Sequence, residues 1–299
     1  MKIILATDGS EYSEKAAEYL RKLDFKAEDE IYVLHVLKEY LIPDTVHAAK
    51  DFRKAGKKGA KALVDETAAR LAAGKPRIFT VIREGEPWRE IVEAASEYVA
   101  ELIVLGHKGL SGIGRFLLGS ISHQVLRHGE CSVLVVRDVL AEQRPPRILF
   151  CTDGSDHAAH AGELLARLPF DRSSEIHVIS VVDMEVSTLP EKYYPFGETA
   201  TILTELRKYN VEMAEKAVSK EAEKLRGRFA TVREHIVFGI PESEILAASE
   251  EIQADLIVMG SKGVRGIAGA ILGSASQRVV KHAGCGVLIA KMPETKSEA

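Results

Sequence analysis

The sequence predicts an α/β fold made of two tandem open-sheet domains, each a five-stranded parallel sheet with helices on both faces. Three observations support this prediction. The chain has 299 residues, which is enough for two ordinary domains. Short apolar runs alternate with amphipathic segments, as in folds where strands and helices alternate along the chain. The second half also repeats the first, so both halves are expected to fold alike.

Matching segments at constant spacing reveal the repeat. ILATDGS at residues 4–10 matches LFCTDGS at 149–155, and matching segments continue through both glycine loops to Cys131 and Cys285. The second copy has nine more residues between Val181 and Gly239 than the first copy has between Val36 and Gly85. We place these extra residues in 184–200, because the aromatic residues and prolines of that segment are typical of irregular chain. Duplicated domains explain a repeat of this length better than a solenoid does.

The boundaries of the two domains follow from the segment RDVLAEQRPP, residues 137–146. Two adjacent prolines end any helix and stiffen a short connector. We therefore expect the first domain to span residues 1–139 and the second to span residues 147–292.

Each element of the first copy has its own sequence signal. Residues 2–7 are an apolar run, predicted as a strand, and Ser10 can cap the helix that follows it. Residues 101–106 are apolar throughout, as expected for a strand covered on both faces. Pro87 suits the first turn of a helix. Further strands are predicted at 31–36, 80–84 and 132–137, and further helices at 45–73, 87–99 and 120–128.

Composition excludes several classes of protein. The formal net charge is −4 and there is no basic block, so we expect no nucleic-acid partner. The first residues are typical of a strand and not of a signal peptide. No apolar run approaches 18 residues, so we expect no membrane span and a cytosolic protein. The three cysteines have no metal-site spacing and are expected to be buried residues: Cys131, Cys151 and Cys285.

Two glycine-rich loops are the strongest functional signal. GHKGLSGIGRFLLGS runs from Gly106 to Ser120, and GSKGVRGIAGAILGS runs from Gly260 to Ser274. Each loop follows an apolar strand and leads into a helix, and backbone amides in such loops can cradle an anion. Neither the P-loop motif nor the dinucleotide fingerprint after the first strand is present. A glycine-rich connector is the alternative, but the glycines keep their spacing in both copies while their neighbours differ.

An aspartate ends the first strand of each copy. Asp8 and Asp153 could simply cap a helix or shape a turn, or they could accept the hydroxyl groups of a ribose. If the first and fourth strands are neighbours, each aspartate faces the same crevice as the glycine loop of its copy. Lys108 and Lys262 would add positive charge there.

Taken together, ATDGS, LHV, GEP, LIVLGHKG, the Gly-Ser pair nine residues later and CSVLVV resemble the universal stress protein family in its tandem-domain form. The resemblance covers nearly all of both copies. It implies the strand order 3-2-1-4-5 in each domain. It also implies that SVLVVR and GVLIAK pair through their edges, which would make an intrachain pseudo-dimer of the two domains, with a homodimer of the whole chain as a further possibility.

The resemblance also implies one site for ATP, expected with Mg²⁺, in each copy. Asp8 and Asp153 would hold the ribose, and the main chain of Val36 and Val181 would meet the adenine. The phosphates would lie along a path formed by Gly106, His107, Gly109, Gly119, Ser120 and Ser122 in the first copy and by Gly260, Ser261, Gly263, Gly273, Ser274 and Ser276 in the second. Ala6 and Cys151 depart from the family pattern, because some nucleotide-binding members have proline there.

Three functions stay open at this point. The sequence favours an ATP-binding stress-response or signalling protein in which nucleotide occupancy regulates conformation or partner binding. A slow ATPase or phosphotransferase is less favoured, because hydrolysis needs a positioned water and a base, and the second copy has Ser261 in place of His107. The third function is an interaction protein whose sites have lost nucleotide. The intact glycines and aspartates count against it.

Overall fold

A computed structural model describes residues 1–38, 49–72, 75–109, 118–183, 198–263 and 272–292. The described residues form two compact units. The first contains residues 1–140 and 291–292, and the second contains residues 141–290. Among the described residues, no helix combines the length and the apolar character that crossing a bilayer requires.

The first unit alternates strands and helices along the chain. Its strands lie in the order β3-β2-β1-β4-β5, and the paired strands are parallel. In chain order, its elements are β1 (Lys2–Ala6), α1 (Glu11–Arg21), β2 (Glu30–Lys38), α2 (Ala49–Leu71), β3 (Arg77–Gly85), α3 (Pro87–Glu97), β4 (Leu102–Gly106), α4 (Ser120–His128) and β5 (Ser132–Val136).

The second unit repeats this arrangement with parallel strands in the order β8-β7-β6-β9-β10. The predicted order 3-2-1-4-5 is therefore confirmed in both units. The elements of the second unit are β6 (Arg147–Cys151), α5 (Asp156–Arg167), β7 (Glu175–Val182), α6 (Glu198–Arg226), β8 (Thr231–Phe238), α7 (Pro241–Glu251), β9 (Leu256–Gly260), α8 (Ser274–His282) and β10 (Gly286–Ala290).

The extra residues of the second copy are only partly accounted for by irregular chain. α6 has 29 residues, whereas its counterpart α2 has 23. Residues 198–200 were predicted to be irregular, but they form the start of α6. Residues 184–197, the rest of the predicted excursion, lie outside the described residues.

Local signals in the sequence explain where the helices begin. The Ser10 side chain accepts a hydrogen bond from the Ser13 amide at the start of α1, and Ser155 does the same for the Ala158 amide at the start of α5. Pro87 opens α3, where its missing N–H costs nothing. Every residue of β4 and of β9 is buried, as expected for strands covered on both faces.

The helices cover both faces of each sheet. In the first unit α1 packs against α2, and α3 packs against α4. The chain leaves β1 towards one edge of the sheet and leaves β4 towards the other, so right-handed crossovers place these two helix pairs on opposite faces. The carboxyl ends of β1 and β4 therefore border a switch point, which is where open α/β sheets bind ligands.

Candidate functional site

An aspartate and a glycine meet at the switch point of the first unit. Asp8 follows β1, Gly109 follows β4, and a Cβ atom built on Gly109 would lie only 2.5 Å from Oδ2 of Asp8. The second unit repeats this contact, with 2.5 Å between a Cβ on Gly263 and Oδ2 of Asp153. A side chain at either glycine would collide with the carboxylate. Each unit thus joins a carboxylate and the start of a glycine loop into one surface.

A tight turn holds each carboxylate in place. Oδ1 of Asp8 accepts hydrogen bonds from the Ser10 amide at 3.0 Å and from the Ser10 hydroxyl at 2.6 Å. Gly9, between them, has a φ of 77°, which favours glycine. In the second unit Oδ1 of Asp153 accepts from the Ser155 amide at 3.0 Å. Each aspartate therefore does shape a turn, through its Oδ1 atom. The hydrogen bonds of Oδ1 orient Oδ2 towards the loop.

The first glycine of each loop has a different role. A Cβ on Gly106 would lie 2.6 Å from the backbone carbonyl carbon of Tyr12, and a Cβ on Gly260 would lie 2.7 Å from that of His157. Tyr12 belongs to α1 and His157 to α5. Gly106 and Gly260 therefore let a helix pack closely onto the end of the fourth strand. We assign them to packing, whereas Gly109 and Gly263 border the crevice.

The two ends of each loop are joined by a main-chain hydrogen bond. The Gly119 amide donates to the His107 carbonyl at 2.7 Å, and the Gly273 amide donates to the Ser261 carbonyl at 2.7 Å. Gly119 and Gly273 are the N-caps of α4 and α8. The first amides of a helix have no partner within it and carry partial positive charge. Each loop thus places the start of a helix, which can bind an anion, beside its aspartate.

The serines at these helix starts divide into two kinds. Ser120 and Ser274 are exposed at the first helical position. Ser122 and Ser276 are buried, and their hydroxyls donate to the carbonyls of Gly106 at 2.8 Å and of Gly260 at 3.0 Å. A phosphate contact at Ser122 and Ser276 stays a prediction, but the geometry favours their tying the helix to the fourth strand. The central loop residues, including Gly112 and Gly266, lie outside the described residues.

His107 points into the protein interior. Its side chain is buried, and its ring meets the Tyr12 ring edge-on with centroids 4.3 Å apart. Burial, together with the nearby charges of Arg137 and Lys108, lowers the pKa of His107 to about 4. The imidazole is therefore neutral at pH 7. Its place on the phosphate path stays a prediction, since the His107 amide already donates to the Val136 carbonyl at 2.9 Å and the His107 carbonyl accepts from Gly119.

In the second unit the histidine of this contact lies on the helix and not at the end of the fourth strand. Ser261 replaces His107, His157 replaces Tyr12, and the Ser261 hydroxyl lies 3.3 Å from Nδ1 of His157. A small residue thus faces a histidine where the first unit has a histidine against a tyrosine. Sequence reasoning missed Tyr12 and His157, since the two residues differ between the copies; their shared distance from the Thr-Asp-Gly-Ser motif was the available signal.

The main chain of Val36 faces the crevice side of β2. The Thr7 amide donates to the Leu34 carbonyl at 2.9 Å, and alternate residues of a strand direct their main-chain groups towards the same neighbour. The N–H and C=O of Val36 therefore point to the β1 side of β2. They lie beyond Ala6, which is the last residue of β1 that pairs with β2. Val181 is in the same position, because the Thr152 amide donates to the Ile179 carbonyl at 2.9 Å. Their contact with adenine stays a prediction.

Each crevice combines a carboxylate packed against glycine main chain with the start of a helix, and helix starts favour anions. Among the described residues there is no group of three or more His, Cys, Asp or Glu side chains that could hold a metal.

Comparisons with known proteins identify the family of the chain. The model of the universal stress protein family matches residues 1–137 and 146–291, which is nearly the whole chain. The chain belongs to the universal stress protein family. The prediction of this family from the sequence is confirmed.

Similar family members include proteins of one and of two units. A universal stress protein of Methanocaldococcus jannaschii is 34% identical over 148 residues, covering 50% of this chain and 83% of the relative. One of Mycobacterium tuberculosis is 28% identical over 236 residues, covering 75% of this chain and 71% of the relative. The solved structure of a universal stress protein from Archaeoglobus fulgidus is 27% identical, has a TM-score of 0.66, and covers 98% of this chain and 97% of its own.

Proposed function

We propose that this universal stress protein binds one adenine nucleotide in each unit, ATP with Mg²⁺ being the expected form. We further propose that occupancy regulates conformation or partner binding in a cytosolic stress-response or signalling role. The observation that carries the proposal is the contact between Asp8 and Gly109, repeated between Asp153 and Gly263. A carboxylate fixed against glycine main chain at a switch point suits a ribose beside a phosphate chain.

Different residues would contact different parts of the nucleotide. Oδ2 of Asp8 would accept from the ribose hydroxyls while Oδ1 stays bonded to Ser10. The main chain of Val36 would meet the adenine edge. The amides at the start of α4 and the exposed Ser120 would meet the phosphates, whose negative charge the helix start favours. The second unit would use Asp153, Val181 and the start of α8 in the same way.

Binding without efficient turnover fits these side chains better than catalysis does. A general base must reach the attacking water and accept its proton. The His107 ring is buried against Tyr12, and the second unit has no imidazole at that position. An imidazole base at this position would therefore serve one unit at most. A binding role therefore has the stronger support.

Native mass spectrometry of the full chain with Mg-ATP tests the proposal. We expect two nucleotides per chain. Asp8→Asn should leave one and the double variant Asp8→Asn, Asp153→Asn should leave none, because the amide can keep the Oδ1 contact with the turn but replaces Oδ2 with a donor. Asp65→Asn, an exposed acid on α2 paired with Lys61, is the matched control and should retain two.

Three results would contradict the proposal, each in a different way. If no nucleotide binds at millimolar ATP, the nucleotide proposal fails and an interaction protein on the same fold is left. If the double variant still binds two nucleotides, they occupy another place. If phosphate is released well above background and equally by both units, the chain is an enzyme and the binding-only reading fails.

A further inference from the structure

Two histidines on neighbouring strands of the second unit share a hydrogen bond. Nδ1 of His177 on β7 lies 3.0 Å from Nε2 of His235 on β8, and the rings stack with centroids 5.1 Å apart at an angle of 13°. The β7–β8 register pairs His235 with Ile179, so the imidazoles meet diagonally across the strand pair. Glu234 bonds to Ser219 of α6, and His235 therefore faces the opposite side of the sheet.

The hydrogen bond restricts the protonation of the pair. One imidazole must supply an N–H and the other a lone pair, so at least one of them must be neutral. His177 is buried, and among the described residues its Nε2 has no hydrogen-bond partner. With the shared proton on Nδ1, this buried Nε2 is a lone pair. Protonating His177 would instead create a buried, unpaired N–H together with a charge, which is costly.

The charged groups around the pair do not offset this cost. Burial is the main cause that lowers the pKa of His177, to about 4, and it also lowers the pKa of His235. Positive charge from Arg233 on β8 lowers both, and Arg147 on β6 lowers that of His177 further. Glu175 on β7 raises the pKa of His177, and Glu251 at the end of α7 raises that of His235, but neither reverses the shift.

The first unit has no such pair at the matching positions. Tyr32 stands where the second unit has His177, and Val81 stands where it has His235. Tyr32 stacks between Phe79 and Tyr98, with centroids 4.9 Å and 4.4 Å away. An aromatic stack of this kind does not change charge near neutral pH. The two histidines are therefore a feature of the second unit within a shared framework.

We propose that the His177–His235 hydrogen bond is an acid-sensitive lock on the β7–β8 edge of the second unit. Histidines with a lowered pKa in the folded state take up protons on opening. Their contribution to stability is complete above the unfolded pKa of roughly 6.5 and is lost as pH falls towards the folded value. β7 also carries Val181, so acid would weaken the second nucleotide site. This consequence rests on the proposed function, whereas the lock itself does not.

Hydrogen exchange of the full chain between pH 5 and pH 7.5, corrected for intrinsic exchange, tests the lock. The comparison is with the double variant His177→Tyr, His235→Val, which installs the first unit's own residues. In the natural sequence, protection of β7–β8 amides should fall by up to about tenfold for each pH unit per proton taken up. The variant should lose this dependence. Comparing the two proteins at each pH cancels the titration of other groups, including His107 and His157.

A second variant keeps the proposal testable if the double variant misfolds. His235→Gln keeps a hydrogen-bonding group that does not titrate, and it should reduce the pH dependence only in part, because the buried His177 still titrates. The lock is overturned if β7–β8 protection in the natural sequence does not depend on pH, or if both variants keep the full dependence. Nucleotide counts at pH 7.5 and pH 5.5 are a separate readout. A working lock without any nucleotide binding would sink the proposed function alone.

Discussion

Oδ2 of Asp8 lies 2.5 Å from the place that a Cβ atom would take on Gly109. The carboxylate and the loop main chain therefore leave no room between them for a side chain. Since the second unit repeats the contact at the same distance, the arrangement has survived the divergence of the two copies. Substitutions at Gly109 and Gly263 are therefore the most direct tests of whether the crevice binds a ligand.

Gly109→Ala should abolish binding in the first unit alone. The added methyl group would force the Asp8 carboxylate or the loop to move, so we expect the affinity of that site to fall at least about tenfold, the equivalent of about 1.4 kcal/mol. Isothermal titration calorimetry with Mg-ATP should then count one site in place of two. Gly263→Ala should remove the other site.

Gly59→Ala is the matched control for this substitution. Gly59 lies in α2, and a Cβ there meets nothing within 4 Å. Alanine is favoured over glycine in a helix by about 1 kcal/mol, so the control should stabilise the first unit and leave both sites intact. Unchanged binding in Gly109→Ala would show that the nucleotide does not use this crevice.

Gly106→Ala should damage stability before it damages binding. Its Cβ would lie 2.6 Å from the backbone of Tyr12 in α1, and relieving such a clash costs about 1–3 kcal/mol. Urea unfolding followed by the fluorescence of Trp88, the single tryptophan, reports on the first unit. A variant as stable as the natural sequence would mean that α1 can move away, and the packing role of Gly106 would be wrong.

The sequence was sufficient to predict how the site is assembled. Parallel strands bring their carboxyl ends to one edge, so once β1 and β4 were expected to be neighbours, Asp8 and the glycine loop had to meet. The capping serine, the proline at the start of α3 and the buried fourth strand were likewise predictable, because each is a local preference. These local features depend on spacing and residue type alone, whereas the neighbouring of β1 and β4 was implied by the resemblance to the family.

The roles of individual loop residues could not be predicted in the same way. A repeated spacing does not tell whether a missing Cβ makes room for a carboxylate, as at Gly109, or for a helix, as at Gly106. The Ser122 hydroxyl is already bonded to Gly106, a contact that depends on how α4 meets β4. The His177–His235 bond depends on strand register, and no sequence motif carries that information.

His107→Phe should make the first unit less sensitive to acid. The buried imidazole has its pKa lowered to about 4, so stability that is present above pH 6.5 is lost as pH falls towards 4. Linkage gives a loss of about 2 kcal/mol between pH 7 and pH 5. Phenylalanine can keep the ring contact with Tyr12 and cannot titrate, so the loss should largely disappear.

The measurement is urea unfolding at pH 7 and pH 5, again followed by Trp88 fluorescence. His128 contacts the Trp88 ring, so unfolding midpoints, and not signal amplitudes, should be compared. His123→Phe, at an exposed position on α4, is the control for the addition of a phenyl ring. Equal acid sensitivity in His107→Phe would place the titrating group elsewhere in the first unit.

Val99→Gly should stabilise the first unit, although it removes an entire side chain. Val99 has a φ of 53° and is 74% exposed. It occupies the left-handed position after α3, where the Ala100 amide returns to the Ala95 carbonyl at 2.8 Å, a helix ending that favours glycine. Relief of about 1–2 kcal/mol of backbone strain should exceed the extra chain entropy of glycine, about 0.5–1 kcal/mol.

Val99→Ala separates the two sources of this strain. Alanine removes the branched side chain but keeps a Cβ, so it should recover less stability than glycine in the same urea titration. Gln253 holds the matching position after α7 with a φ of 52°. Its side chain is not branched at Cβ, so Gln253→Gly should gain less than Val99→Gly. If Val99→Ala gained as much as Val99→Gly, the cost would lie in the branched side chain and not in the left-handed backbone.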